Sequence, residues 1–287
     1  MSGVSESYGE ALEPVLLALA DDDLIIGHRH SEWTGWAPHI EEDIAFSSIA
    51  QDEIGHANLF FNLLAELRGE SADRIALGRE VSEYTNAIIC ERPNRDWAYT
   101  VSRHFLYEEA ERVRLESLSG SSYQPLAEVC AKLLREEKYH QLHADAWFRR
   151  LAHGPVEGRH QLAVCLSECL PDALGLFEEL PREAAAIENG ILPQPNAGLR
   201  EQWLNEITRR VDDSGVPLGL DTGEEEGDLL PTSSGEIPDA HHDTNPATEA
   251  GGKQGGIGGR RGRHSAEFSE LWDDLTRTYR EEPTATW

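Results

Sequence analysis

The sequence predicts an all-α protein, a four-helix bundle with additional C-terminal helices. Two observations predict it. From residue 8 to about 180, apolar residues recur at helical spacing, with no strand-like alternation. Within that pattern the string Glu-x-x-His occurs twice, as Glu53-Ile54-Gly55-His56 and Glu137-Lys138-Tyr139-His140. Positions i and i+3 share a helix face, so each string aims one carboxylate and one imidazole at the same point.

The elements follow in order. A first helix carries Leu12, Leu16, Leu19 and Ile26 on a three-four ladder and closes before Ala37-Pro38. Proline is tolerated in a first turn, so a second helix starts there, carries Phe46, Ile49, Phe60, Leu64 and Leu67, and ends near Gly69. A third starts at about Asp96, shows Trp97, Phe105, Leu106 and Val113, and breaks at Ser119-Gly120-Ser121-Ser122. A fourth carries Leu126, Cys130, Leu133, Trp147 and Leu151 and stops at Gly154-Pro155. A fifth, about 156–179, is amphipathic, and a short sixth spans about 198–211. These form one bundle domain over 8–211. Residues 212–263 are rich in Gly, Pro, Ser, Asp and Glu and read as an acidic Gly/Pro-rich loop or disordered insertion, exposed to solvent. Residues 264–287 hold a C-terminal helix at about 265–281.

Composition narrows the function. The formal net charge over 287 residues is −28, and the lysines are Lys132, Lys138 and Lys253 alone. Such a chain is repelled by nucleic acid and by anionic membrane surfaces. Abundant acid with few lysines suits a high-salt medium, where screening removes self-repulsion. No apolar run approaches the ~20 residues of a membrane span, and with no basic region followed by an apolar stretch near the start, a signal peptide is not expected. Cys90, Cys130, Cys165 and Cys169 form no zinc-type pair and read as free thiols of a reducing compartment, so a cytoplasmic location is expected.

Two Glu-x-x-His helices, each completed by one carboxylate from a neighbouring helix, make the ligand set of ferritin-like di-iron or di-manganese bundles. Helix rise selects the missing carboxylates, because level partners lie equally far from the turn. Glu53 is level with Asp23, which also continues the ladder Leu12, Leu16, Leu19; Asp22 is adjacent. Glu32 and Glu42 lie ~13 Å too far along the axis and read as bundle-end groups. Glu137 is level with Glu108 and Glu109. Glu109 is flanked by Phe105, Leu106 and Val113 at helical spacing and is the preferred ligand, with Glu108 the alternative. The expected metal set is therefore Asp23, Glu53, His56, Glu109, Glu137 and His140. Asp52 and Glu136, each one turn before a histidine of its own helix, are expected to accept the outer imidazole N–H. The remaining histidines, His30, His104 and His143 among them, read as ordinary polar residues.

The stretch Leu19–Arg29 with its Asp21-Asp22-Asp23, then Ser31-Glu32-Trp33, Ala37-Pro38 and Glu41–Ala45, resembles the phenylacetic acid catabolic protein family. The segment Lys138-Tyr139-His140 and the closing Gly258–His264 run fit it too; the likeness covers about 10–180 and, more weakly, the last helix. The resemblance implies a ferritin-like subunit of a multicomponent phenylacetyl-CoA epoxidase, most like its accessory C-type member. It implies a catalytic A-type ferritin-like partner, a separate reductase for electrons and a phenylacetyl-type CoA thioester as substrate. By that resemblance, well-known accessory members have lost metal ligands. This chain keeps Gln51–His56 and Glu137, so an intact set for two iron ions, or manganese, is expected. The alternative is a stand-alone di-iron oxygenase or ferritin-like oxidase. Arg260, Arg261 and Arg263 form a dense basic run in an acidic chain and are candidate contacts for CoA phosphates or a partner surface.

Overall fold

The computed structural model describes residues 6–217 and 256–283. Two antiparallel hairpins form the bundle. The first pairs α1 (Glu6–Ser31) with α2 (Ile40–Arg68). Between the hairpins lie α3 (Ala72–Leu77), a 3-10 turn at Val81–Glu83 and α4 (Ile88–Glu91). The second hairpin pairs α5 (Trp97–Leu118) with α6 (Gln124–Ala152). Then come α7 (Val156–Ala173), continued by a 3-10 turn to Phe177, α8 (Glu183–Glu188) and α9 (Asn196–Ser214). A last 3-10 turn, Gly259–Arg261, precedes α10 (Ala266–Glu281). Among the described residues there is no strand, and no helix is long and apolar enough to cross a membrane.

Local chemistry sets the ends. Gly69 adopts φ 69° and closes α2 by donating to Ala65 O, a conformation that favours glycine. Asp96 caps α5, accepting from the Tyr99 N–H at 2.8 Å. The short helices α3, α4 and α8 escape a periodicity reading because four to six residues hold too few repeats of the pattern. The apolar core runs through Leu12, Leu16, Phe46, Phe60, Phe105, Leu126 and Leu133, all buried. Helix α5 lies at its centre and packs on α6, α7 and α9; Trp203 of α9 donates to Leu106 O at 3.1 Å.

Polar groups inside this core are organised by three successive aspartates of α1, all buried. Asp21 pairs with Arg79 and accepts from the Thr85 N–H at 2.8 Å. Asp22 takes both terminal nitrogens of Arg260, at 2.8 and 2.6 Å, one of Arg114, and the Ala87 N–H at 2.7 Å. Burial alone would raise the Asp22 carboxyl; Arg260 and Arg114 hold it below its ordinary value. Asp23 faces the bundle centre.

Arg260 also donates to Ala18 O, Thr85 O and Leu176 O. It is a buried structural residue, closed to a CoA phosphate, which corrects the expectation for that position. Arg261 and Arg263 stay exposed. The glycine-rich run is equally misleading from composition. At Gly262 (φ 67°) a side chain would collide with Ser82 O, and at Gly259 with Asn86 O. Glycine is needed there for close packing, and 256–263 is seated on the bundle instead of being an exposed loop. Further ties are His264 Nδ1 to Glu91 at 2.7 Å and Trp272 Nε1 to Arg79 O at 2.9 Å. Of the expected insertion, 212–214 completes α9, and 218–255 lies outside the described residues.

Removing one partner of a buried ion pair leaves an uncompensated charge and typically costs about 3–5 kcal/mol. Arg260→Ala is expected to lose roughly that much in chemical denaturation. Arg261→Ala, at an exposed position, should stay within about 0.5 kcal/mol of the parent.

Candidate metal centre

Four helices converge on one buried point. Helix α1 brings Asp23, α2 brings Glu53 and His56, α5 brings Glu108, and α6 brings Glu137 and His140; all six are buried. Donor atoms of Asp23, Glu53 and His56 lie within 4.8 Å of one another, as do those of Glu53, Glu108, Glu137 and His140. Nδ1 of His56 is 3.0 Å from Glu137 Oε1. Nδ1 of His140 is 3.4 Å from Glu53 Oε1, 3.4 Å from Glu137 Oε2 and 3.9 Å from Glu108 Oε2. The imidazoles stack with centroids 6.0 Å apart. Gly27, one turn after Asp23, permits this approach, because a Cβ there would come within 2.9 Å of Glu53 Cβ.

Five of the six sequence-expected residues meet here. Glu109 does not, and Glu108 stands in its place. Arg112 Nε and Arg210 Nη1 hold Glu109 at 3.0 and 2.9 Å on a different face of α5. The expected roles of Asp52 and Glu136 are exchanged. Asp52 reaches His140 Nε2 at 3.3 Å, and Glu136 reaches His56 Nε2 at 3.2 Å. Helices α2 and α6 are antiparallel at this level, so each outer carboxylate leans across to the other helix. A proton held on each Nε2 leaves the Nδ1 lone pair facing the centre. Glu32 and Glu42 sit at the bundle end as expected, on Arg29 and His143.

Sequence reasoning missed Tyr107, whose hydroxyl donates to Asp23 Oδ1 at 2.8 Å, and the buried His30 and His104. The spacing of His104 and Glu108, one turn apart, was the available signal: their side chains approach to 3.1 Å.

The electrostatics are those of an anionic cage. Burial, then repulsion from Glu111 and Glu53, pushes Asp23 well above its ordinary value. Burial, then Glu137, raises Glu53 and strongly raises Glu108. Glu137 goes the other way: burial opposes, but the imidazoles of His140 and His56 beside it, at 3.4 and 3.0 Å, hold it below its ordinary value. Both imidazoles are raised against their own burial, His140 chiefly by Glu137 and Glu53, His56 chiefly by Glu137. Burial lifts Glu111 to about 7 against the pull of Arg114. Both oxygens of Glu53, Glu108 and Glu137, Asp23 Oδ2 and His140 Nδ1 have no hydrogen-bond partner. Buried carboxylate oxygens without partners are costly. Four carboxylates and two imidazoles are a donor set that divalent iron or manganese satisfies.

That donor set on four antiparallel helices defines a carboxylate–histidine helical bundle. The model of the phenylacetic acid catabolic protein family matches residues 2–228, and the chain belongs to that family. It is also 29% identical over 199 residues to the C-type subunit of the 1,2-phenylacetyl-CoA epoxidase of Escherichia coli strain K12, covering 69% of this chain and 80% of that protein.

Two expected outcomes follow from the geometry. Glu108→Ala should bind less metal than the parent while Glu109→Ala keeps the parent content, measured by elemental analysis after metal loading. The second concerns pH. Raised groups stabilise the fold fully below their unfolded values and lose that contribution as pH rises through the folded ones. Asp23, Glu53, Glu108, Glu111, His56 and His140 all act in this sense. Glu137 acts oppositely, but only below its ordinary value of 4.5. His28, His30 and His104, which burial holds below their ordinary value of 6.5, act oppositely up to about that pH, so the Tm of the metal-free chain should fall between about pH 6.5 and pH 8. Saturating Mn²⁺ should flatten or reverse that slope in calorimetry, because the ion replaces the protons.

Proposed function

We propose that this chain is a subunit of a multicomponent phenylacetyl-CoA epoxidase, of the accessory C type, and that it retains a two-metal centre. What carries the reading is the joint presence, in one chain, of the likeness to the C-type epoxidase subunit and a complete six-donor cluster. Asp23, Glu53 and His56 would hold one ion. Glu108, Glu137 and His140, with Glu53 shared, would hold the other. Iron is the proposed metal, with manganese the close alternative.

Iron bound there would supply the dioxygen chemistry that ring epoxidation requires. The chain's own residues have other tasks. Asp52 and Glu136 fix the outer protons of the two imidazoles, Tyr107 orients Asp23, and the bundle keeps bulk water away. Electrons would come from a separate reductase, and the substrate class is a phenylacetyl-type CoA thioester.

The proposed partner is a catalytic A-type ferritin-like subunit, seated on the outer face of α2 and α6. Ile40, Ile44 and Ile54 of α2 and Tyr139 and Leu142 of α6 are exposed large apolar side chains, as is Trp36 in the turn before α2. Apolar surface of this kind commonly marks an interaction site. These are also the two helices that carry the Glu-x-x-His strings.

A second reading, that this chain itself performs the oxidation, is favoured by the completeness of its ligand set. The deciding assay is phenylacetyl-CoA turnover by the reconstituted complex carrying Glu53→Ala or His56→Ala in this chain. Near-parental turnover, with the complex assembled, is the expected outcome for an accessory role. Turnover reduced at least about 100-fold, about 2.7 kcal/mol of barrier, with assembly intact would assign the chemistry here. A chain that binds no ferritin-like partner and leaves phenylacetyl-CoA oxidation unchanged would overturn the epoxidase reading.

A further inference from the structure

Beyond the paired centre, toward the bundle end that carries Trp33 and Trp97, lies a second group of metal-type donors. We propose that His30, His104 and Glu108 form a single-ion site for a divalent transition metal or zinc, distinct in its two imidazoles from the paired centre. Donor atoms of the three residues lie within 4.8 Å of one another, and all three are buried.

Three observations carry this beyond a chance cluster. Both ring nitrogens of His30 are buried without a hydrogen-bond partner, as are both oxygens of Glu108. A buried polar group left without a partner is costly, and a metal ion satisfies a nitrogen lone pair and a carboxylate together. Next, the tautomer of His104 is prepared. Its Nε2 is 3.4 Å from His143 Nδ1, and His143 Nε2 is 2.7 Å from Glu42 Oε2. With N–H groups donated outward along that chain, His104 Nδ1 keeps its lone pair 3.1 Å from Glu108 Oε1. A carboxylate reaching a ligating imidazole through hydrogen bonds is the usual support of a metal histidine. Finally, the rings are already close. His30 and His104 stand edge to face with centroids 5.3 Å apart, and Phe46 packs against both, at 5.1 and 5.4 Å.

Two imidazoles and one carboxylate suit zinc, cobalt or ferrous iron, not calcium or magnesium. Donors on a tetrahedral zinc ion lie roughly 3.3 Å apart, given bonds of about 2.0–2.1 Å. The present spacing therefore asks for a modest inward rotation of the rings.

The test uses the full chain, stripped with a chelator, desalted, and titrated with Co²⁺. Retained metal is counted by elemental analysis, and ligand-field absorption is recorded. His30→Phe keeps a ring against Phe46, His104→Gln keeps a polar side chain, and His56→Ala disables the paired centre alone. Thermal melts confirm that each variant is folded. The parent is expected to retain one Co²⁺ per chain more than His30→Phe or His104→Gln. Affinity for that ion should drop by about 100-fold or more, since lost outer-shell partners alone account for 10–100-fold. His56→Ala should keep the ion that depends on His30. Equal metal content and equal spectra in the parent and a folded His30→Phe would overturn the site. If the parent held only the His30-dependent ion, the single site would stand and the paired-centre reading would fall.

Discussion

Three neighbouring carboxylates in the middle of α1 have to be neutralised in an interior without water, and much of the molecule is arranged around that need. Successive residues of a helix point about 100° apart, so Asp21, Asp22 and Asp23 address three different regions. Asp21 fastens Arg79 and the chain at Thr85. Asp22 draws Arg114 from α5 and Arg260 from the far end of the sequence. Asp23 is left with Tyr107 and one unpartnered oxygen, turned toward the other carboxylates. A buried charge is tolerated only when paired or metal-bound. The first two aspartates are answered by arginines, and the third by whatever fills the centre.

The centre itself is nearly symmetric. His56 of α2 meets Glu137 and Glu136 of α6, and His140 of α6 meets Glu53 and Asp52 of α2. Each helix thus supplies both the inner and the outer carboxylate of the other's imidazole. One register satisfies all four contacts. A slip of one residue, about 1.5 Å along and 100° around the axis, would break them together. Gly27 adds a steric reason for the same register, since it admits Glu53 at close range.

Much of this was legible in the sequence. The two hairpins, their turns and five of the six converging residues follow from periodicity and rise alone, because these depend on local geometry. Glu108 was not distinguishable from Glu109 for a specific reason. Eighteen of the 22 residues of α5 are buried, so an apolar neighbourhood does not single out a face. Glu109, about 100° around the helix from Glu108, is held on its own buried face by Arg210, 101 residues away. The glycine-rich segment before α10 misled for a similar reason. Its composition matches an exposed loop, whereas its glycines are needed for contact with backbone remote in sequence, at Ser82 and Asn86. Long-range partners of this kind leave no periodic trace.

The adjacency of Asp22 and Asp23 makes the C-terminal segment thermodynamically party to the centre. Arg260 grips the residue next to the centre-facing Asp23, so seating the segment and any ion filling the centre would restrain the same turn of α1. Two events that restrain one element are linked, and linkage is reciprocal. Whatever factor the seated segment contributed to ion binding, bound ions would return to the segment. The segment around Arg260, remote in sequence, would thereby report on whatever occupies the interior.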